Sequence, residues 1–160
     1  MTLNNFQFNT TPGLRFGSGE AKNSCKEIFN KLGSRILFIT DKGLMSLGLT
    51  KPTIQELKTM GEVEVFDGVE ADPSKKTLLT AIEIGKKFKA TGVIGFGGGS
   101  SMDVAKLTAL ILGSNEDLEK AWGVANAKGP RLPLVLIPTT AGTGSEVTPV
   151  SIITVGEEEK

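Results

Sequence analysis

The sequence contains no histidine and one cysteine among its 160 residues. Histidine is the usual side chain for general acid–base catalysis and a frequent ligand of catalytic zinc or iron, so a catalytic centre built on imidazole is excluded from this chain. The one cysteine, Cys25, has no second cysteine in the chain with which to form a disulfide. No basic segment followed by a sustained apolar run stands at the N-terminus. Both observations predict a cytoplasmic protein.

An excess of charge of one sign and long hydrophobic runs are also missing. Eighteen basic and eighteen acidic side chains give a net charge of zero, and they are interspersed, so we expect neither nucleic acid nor an anionic membrane as a partner. Glycine, proline or a charged residue interrupts every apolar run well before the roughly 20 residues that a membrane-spanning helix needs. The length predicts a single domain over residues 1–160.

Four short apolar runs, at residues 36–39, 63–66, 93–96 and 134–137, are separated by segments long enough for helices. Because the runs are mostly continuous rather than alternating, they predict buried parallel strands. Apolar residues at helical spacing lie between Ala21 and Leu32 and between Leu78 and Phe88, with Ser74 as the expected N-cap of the second helix. The sequence therefore predicts an α/β fold with a doubly wound, mainly parallel, Rossmann-like sheet, whose ligands bind beyond the carboxyl ends of the strands.

The two ends of the chain carry further expectations. Phe6 and Phe8, then Leu14 and Phe16, alternate around a Thr-Pro-Gly turn at residues 11–13, which predicts an N-terminal β-hairpin or edge pairing. An exposed hairpin edge would allow a homodimer with a second copy of the chain. Near the other end we expect a surface loop over residues 120–133 and a final strand at residues 150–155.

The third apolar run leads into three consecutive glycines and then into an apolar helix that includes Met102 and Leu110. Without Cβ atoms, Gly97, Gly98 and Gly99 can turn tightly and point N–H groups at phosphate oxygens. Ser100 adds a hydroxyl and is expected to cap the helix. The spacing fits neither the full dinucleotide fingerprint nor a Walker loop. The turn predicts a pyrophosphate site, and a tight turn without a ligand is the alternative.

Two other strand ends carry polar groups. Asp41 follows the first apolar run, where a carboxylate can bind both ribose hydroxyls and repel a 2′-phosphate, which favours NAD over NADP. The alternative is that Asp41 only caps the next helix. Residues 138–148, which we call the threonine segment, hold five hydroxyl side chains and two glycines. Such density suits sugar and amide recognition, while the alternative is a Ser/Thr turn before a helix.

Taken together, residues 97–106 and 138–148 resemble the two N-terminal signatures of the iron-containing alcohol dehydrogenase family, and residues 16–19 and 39–41 extend the likeness. The resemblance implies a parent enzyme that interconverts an alcohol with an aldehyde or ketone by hydride transfer to or from NAD, with a divalent metal, usually Fe²⁺ or otherwise Zn²⁺. It also implies cofactor-binding roles for Gly98, Gly99 and Ser100 at the pyrophosphate, Asp41 at the ribose, Thr139 and Thr140 at the adenine side, and Thr143, Thr148 and Asp103 elsewhere along the cofactor.

Three features limit what the resemblance implies. Asp103 and Lys106 are i, i+3 neighbours on the same helix, so a structural ion pair is the alternative for both. Ala71 stands before Asp72 and Pro73, where the family usually has asparagine before the proline, which puts a cofactor contact there in doubt. The family's metal ligands belong to a helical C-terminal domain that these 160 residues do not include, so no catalytic or metal-binding residue is predicted here.

We therefore expect the chain to be the cofactor-binding half of an NAD-dependent alcohol dehydrogenase, inactive by itself and in need of a metal only in the full-length parent. Two alternatives remain open. One is a relative of the glycerol dehydrogenases or dehydroquinate synthases, which share the fold but differ in the threonine segment. The other is a nucleotide-binding or oligomerising module without chemistry.

Overall fold

The computed structural model describes residues 11–123 and 126–156. Its elements, in chain order, are α1 (Glu20–Asn23), α2 (Cys25–Leu32), β1 (Arg35–Ile39), α3 (Lys42–Ser46), α4 (Lys51–Lys58), β2 (Glu62–Phe66), α5 (Lys75–Phe88), β3 (Gly92–Gly97), α6 (Gly99–Ser114), α7 (Leu118–Ala121) and β4 (Leu134–Pro138). The four apolar runs of the sequence are the four strands, each within one residue of the expected bounds.

All strand pairs are parallel, and the strands lie in the order β2-β1-β3-β4. The chain builds outward from β1 to β2, then crosses back and continues on the other side with β3. The direction of winding therefore reverses between β1 and β3. In open α/β sheets a crevice forms beyond the carboxyl ends of the two strands that flank such a reversal, and ligands bind there.

Helices cover both faces of the sheet, as the doubly wound prediction requires. Alternate residues of β1 point to opposite faces because side chains alternate along a strand. On one face, Leu37 and Ile39 pack with the buried sides of α5 and α6. On the other, Ile36 and Phe38 pack with α2 and α4. The predicted fold class is confirmed, with β1 and β3 buried between two helical layers, whereas the edge strands β2 and β4 are only partly buried.

Helix α5 begins where the sequence predicts. Ser74 is its N-cap, with extended backbone, and the side-chain oxygen accepts a hydrogen bond from the Thr77 N–H. Helix α6 is buried along most of its length, as expected from its apolar residues. Of the predicted loop over residues 120–133, α7 takes the first two residues, and described residues 126–133 contain no helix or strand.

The predictions for the two ends differ from the structure. Residues 11–16 form no strand, and the side chains of Leu14 and Phe16 are 70% and 99% exposed because nothing in the described chain covers them. Phe6 and Phe8, the other arm of the predicted hairpin, lie outside the described residues. No helix in residues 11–123 or 126–156 is long and apolar enough to cross a membrane.

The predicted strand at residues 150–155 is wrong. This segment forms one isolated parallel bridge, between Thr154 and Ser74, and its polar backbone groups bond to the start of α5 and to α6 instead of a neighbouring strand. Thr154 N donates to Pro73 O at 2.9 Å and Ile152 N donates to the Asp103 carboxylate at 2.9 Å. The segment is therefore held by α6 and by the start of α5, not by a sheet.

Candidate cofactor-binding site

A cleft of about 690 Å³ opens at the carboxyl end of the sheet, at the reversal between β1 and β3. Its walls come from four places in the chain: Asp41 and the start of α3 after β1, residues 67–71 after β2, Gly98 and the first turn of α6 after β3, and Thr139 with Thr140 after β4. The structure thus brings together the ends of all four strands.

Two of the glycines around the turn are required by packing. Gly97 has φ +150°, a conformation that side chains disfavour, and a Cβ built on it would lie 2.7 Å from Ser101 Oγ. A Cβ on Gly95 would lie 2.7 Å from the Cβ of Ala105. Both glycines let α6 sit directly against β3.

Packing of α6 against β3 does not explain why residues 98 and 99 are glycines. Gly98 has φ −78°, and a Cβ there would be 3.5 Å from the nearest atom, Thr140 Oγ1, which is ordinary contact. A Cβ on Gly99 would lie 3.3 Å from Thr143 Cγ2. The missing side chains leave open the space between the turn and the threonine segment. A ligand that approaches the backbone closely would need that space.

The N-terminus of α6 is open toward this space. Gly98 is the N-cap and provides no side-chain bond, and the first helical hydrogen bond runs from Met102 N to Gly98 O. No described residue accepts a hydrogen bond from the N–H groups of Gly99, Ser100 or Ser101. The prediction that Ser100 caps the helix is wrong, because it is the second helical residue. The three N–H groups and the helix dipole together favour an anion at the cleft.

Asp41 is both a helix N-cap and a residue of the cleft wall. It is the N-cap of α3, where its Oδ1 accepts a hydrogen bond from the Leu44 N–H at 2.9 Å. It also lines the cleft, next to Gly68, with which it forms an antiparallel bridge. The capping contact fixes the carboxylate at the mouth of the sheet. A role at a ribose stays a prediction.

The threonine segment lies beside the glycine turn. Thr139 N donates to Gly97 O at 2.9 Å, which joins the ends of β3 and β4. Thr139 and Thr140 line the cleft, and Thr143 faces Gly99. Thr148 does not line the cleft described above, and its carbonyl oxygen is held by Lys106. Residues 145–147 form a turn, and no helix follows in the described chain.

Asp103 lies away from the cleft lining and its carboxylate is engaged within the protein. Oδ1 accepts from Ser145 Oγ at 2.5 Å and pairs with Lys106 Nζ at 2.9 Å, while Oδ2 accepts from Ile152 N at 2.9 Å. Direct cofactor contact by Asp103 stays a prediction. The observed contacts favour the structural ion pair that the sequence left as the alternative.

Sequence reasoning missed two acidic residues of the cleft, Asp67 and Glu70. Asp67 follows β2 as Asp41 follows β1, so its strand-end position was a signal that could have found it. Glu70 Oε1 accepts hydrogen bonds from Ser74 N at 3.0 Å and Thr77 Oγ1 at 2.5 Å. Partial burial acts to raise the pKa of Glu70, but these hydrogen bonds outweigh it and hold the pKa below its ordinary value.

The described residues do not fit a catalytic metal. No three side chains among their Asp, Glu and Cys residues come together as a ligand set, and the sequence supplies no histidine. Cys25, the first residue of α2, is buried on the far side of the sheet from α6, and burial raises the pKa of its thiol, with a further contribution from Glu56. A buried neutral thiol is a poor metal ligand.

Comparison with known proteins identifies the family to which the chain belongs. The family model described as iron-containing alcohol dehydrogenase matches residues 12–160. The chain belongs to the iron-containing alcohol dehydrogenase family. Within the family it is 35% identical to the sulfoacetaldehyde reductase of Bilophila wadsworthia over 146 residues, which cover 90% of this chain and 38% of that protein. It is 39% identical to the choline dehydrogenase of Bacillus subtilis, over 91% of this chain and 37% of the relative.

Solved structures of family members agree. The sulfoacetaldehyde reductase of Bifidobacterium kashiwanohense in complex with NAD⁺ is 34% identical, with a TM-score of 0.74 over 88% of this chain and 37% of that one. The alcohol dehydrogenase of Oenococcus oeni is 29% identical, with a TM-score of 0.82 over 90% of this chain and 38% of that one. The chain spans less than two-fifths of the length of each of these four relatives.

Proposed function

We propose that the chain is the NAD-binding domain, over residues 1–160, of an alcohol dehydrogenase that transfers hydride between an alcohol and an aldehyde or ketone. The observation that carries the proposal is the open N-terminus of α6, which lies beside Gly98 and Gly99 in the cleft at the reversal of the sheet. A family relative solved with NAD⁺ supports it. The alcohol substrate and the full activity belong to the proposal for the longer protein.

Each part of the cleft has an assigned task. The N–H groups of Gly99 and Ser100 receive the pyrophosphate, Asp41 binds the adenosine ribose, and Thr139 and Thr140 lie at the adenine side. Thr143, which faces Gly99, and Thr148, which lies outside the cleft lining, act nearer the remainder of the cofactor. NAD, when bound, supplies the nicotinamide ring that takes or gives the hydride. The metal of the proposed enzyme, Fe²⁺ or Zn²⁺, needs ligands that the described residues do not provide.

The test is a calorimetric titration of the chain with NAD and, separately, with NADP. We expect saturable binding of NAD and weaker binding of NADP, because the Asp41 carboxylate repels a 2′-phosphate. One open wall contacts the cofactor, so the affinity should be modest. Absence of NAD binding at millimolar concentration would remove the proposal.

A second candidate function, an oligomerising module, rests on the exposed Leu14 and Phe16. Two copies that associate through the segment of Leu14 and Phe16 would cover these side chains in a homodimer. Sedimentation of the chain and of Phe16→Ser distinguishes the candidates, because only a dimer through this segment dissociates on substitution. A cytoplasmic location is also proposed, on the basis of the free thiol of Cys25.

A further inference from the structure

Asp103 and Lys106 form an ion pair inside the protein, and we call these two residues the clamp. Their side chains are 11% and 10% exposed, and Nζ lies 2.9 Å from Oδ1. Removing two charges from water is costly, so a buried pair is stable only when further hydrogen bonds satisfy both groups. The partners of these hydrogen bonds therefore identify the segment of the chain that the ion pair keeps in place.

Within the described chain, every further partner of the clamp lies in residues 145–152. Asp103 accepts hydrogen bonds from Ser145 Oγ and Ile152 N. Lys106 Nζ donates to three carbonyl oxygens, those of Ser145 at 3.0 Å, Thr148 at 3.3 Å and Val150. Apart from one turn, this stretch has no regular secondary structure to fix it. The clamp thus supplies the contacts that a helix or a sheet would otherwise give.

The contacts continue from the clamp to the glycine turn. Ser145, which bonds to both members of the clamp, donates its N–H to Thr143 Oγ1 at 3.3 Å. Thr143 in turn is the side chain nearest to the Cβ position of Gly99, at 3.3 Å. A displacement of Ser145 would therefore move the wall that stands over the first N–H groups of α6.

We propose that the clamp is a positioning device for cofactor binding: Asp103 and Lys106 hold the threonine segment over the N-terminus of α6 and so set the affinity for the diphosphate and nicotinamide part of NAD. The proposal rests on the proposed function. It gives Asp103 an indirect role, through Ser145 and Thr143, in place of a contact with the cofactor.

The adenosine end of the cleft does not depend on the clamp. Thr139 directly follows the last residue of β4 and is fixed by its own hydrogen bond to Gly97 O. Asp41 is fixed by the Leu44 N–H. AMP, which has no second phosphate and no nicotinamide, should therefore bind equally well with or without the clamp. A residue that only stabilises the fold would not separate AMP from NAD in this way.

The experiment measures the dissociation constants of NAD and AMP for the chain and for Lys106→Met. We expect NAD to bind about tenfold more weakly in the variant, the loss that corresponds to about 1.4 kcal/mol, and AMP to bind within about twofold of the unchanged chain. The matched control is Lys120→Met, which breaks an exposed i, i+3 pair with Asp117 at 4.0 Å and should alter neither affinity.

Two further variants keep the test decisive if Lys106→Met does not fold. Ser145→Ala removes one hydrogen bond of the Asp103 carboxylate and should weaken NAD about threefold with AMP unchanged, while Lys106→Arg should retain part of the NAD affinity because the charge remains. Unchanged NAD affinity in Ser145→Ala, or equal losses for AMP and NAD, overturns the clamp proposal. If the unchanged chain binds neither nucleotide, the proposed function fails as well.

Discussion

At the scale of single residues, the glycines from 95 to 99 have two different causes. Gly95 and Gly97 are required by the contact between β3 and α6, since a Cβ on either would lie 2.7 Å from a side-chain atom of α6. Gly98 and Gly99 have room for a Cβ or nearly so, and the space they leave belongs to the cleft. Substitutions at these four positions should therefore damage different properties.

Gly98→Val tests the cleft side of that division. The backbone of Gly98 is extended, with φ −78° and ψ −172°, so valine adopts it without strain. The added methyl groups lie where the pyrophosphate would approach, and we expect NAD binding to weaken at least tenfold while the fold survives. Calorimetry and circular dichroism measure the two effects.

Gly13→Val is the matched control, because Gly13 has no atom within 4 Å of its Cβ position and lies outside the cleft. It should leave NAD affinity unchanged. Full NAD affinity in Gly98→Val would show that the turn does not bind the cofactor.

Asp41→Gly tests selectivity between NAD and NADP. Glycine is an acceptable N-cap, so the loss of the bond to Leu44 N should cost only a few tenths of a kcal/mol. Without the carboxylate, the ribose hydroxyls of NAD have no acceptor there and the 2′-phosphate of NADP is no longer repelled. The dissociation constant of NADP divided by that of NAD should therefore fall about tenfold.

The matched control for Asp41 is Asp117→Gly, which removes another N-cap aspartate, at α7 and outside the cleft. Its ratio of dissociation constants should equal that of the unchanged chain. Equal binding of NAD and NADP before any substitution would contradict the role of Asp41.

At the scale of elements, the start of α5 is the most heavily bonded helix terminus in the described part of the chain. Ser74 caps it through Thr77 N, Glu70 accepts from both Ser74 N and Thr77 Oγ1, and Thr154 bonds to the backbone on either side of Ser74. These bonds attach both a wall of the cleft and the last described segment to one helix.

Glu70→Gln should show a pH-dependent loss of stability. The pKa of Glu70 is lower in the folded state than its ordinary value, so the ionised carboxylate adds stability at neutral pH. This stability is lost as the pH falls below the ordinary pKa and through the lower pKa of the folded state. We expect the variant to be less stable than the unchanged chain at pH 7, and the difference to shrink as the pH is lowered from 7 to 3. Urea denaturation at both pH values measures the difference.

The control is Glu83→Gln, on the exposed side of the same helix. It should unfold at the same urea concentration as the unchanged chain at both pH values. A pH-independent difference for Glu70→Gln would mean that its hydrogen bonds do not depend on ionisation.

Elements with local causes could be predicted from the sequence, and elements with distant causes could not. The central strands β1 and β3 are short apolar runs buried on both faces, and Ser74 caps α5 through a residue three positions away. Residues 150–155 are rich in Val, Ile and Thr like a strand, but Asp103 and Pro73, far away in sequence, accept N–H groups of this segment. Asp67 and Glu70 were missed because their place in the cleft follows from the position of β2 beside β1.

At the scale of the whole molecule, the chain carries the cofactor side of a proposed active site without the chemistry that would complete it. The described residues offer a cleft, a helix N-terminus that opens toward it, and the carboxylate of Asp41 in the cleft wall. They offer no ligand set for a metal. Alcohol oxidation of the proposed kind needs a Lewis acid to stabilise the alkoxide, which is worth several kcal/mol of the barrier.

We therefore expect residues 1–160 alone to form no NADH from NAD and an alcohol, even with added Fe²⁺ or Zn²⁺, although they bind NAD. Absorbance at the wavelength of NADH measures turnover, and metal analysis after dialysis measures retention. Stoichiometric metal together with turnover would show that the argument from the residue inventory failed.

The direct contact between β3 and α6 also affects the rate at which NAD binds in the cleft. A helix that rests on the strand at Gly95 cannot swing aside, so its free N–H groups face the cleft before any nucleotide arrives. Binding at the phosphate end then needs no prior rearrangement. The observed association rate should rise in proportion to the concentration of NAD, without the plateau that a slow conformational step before binding would give.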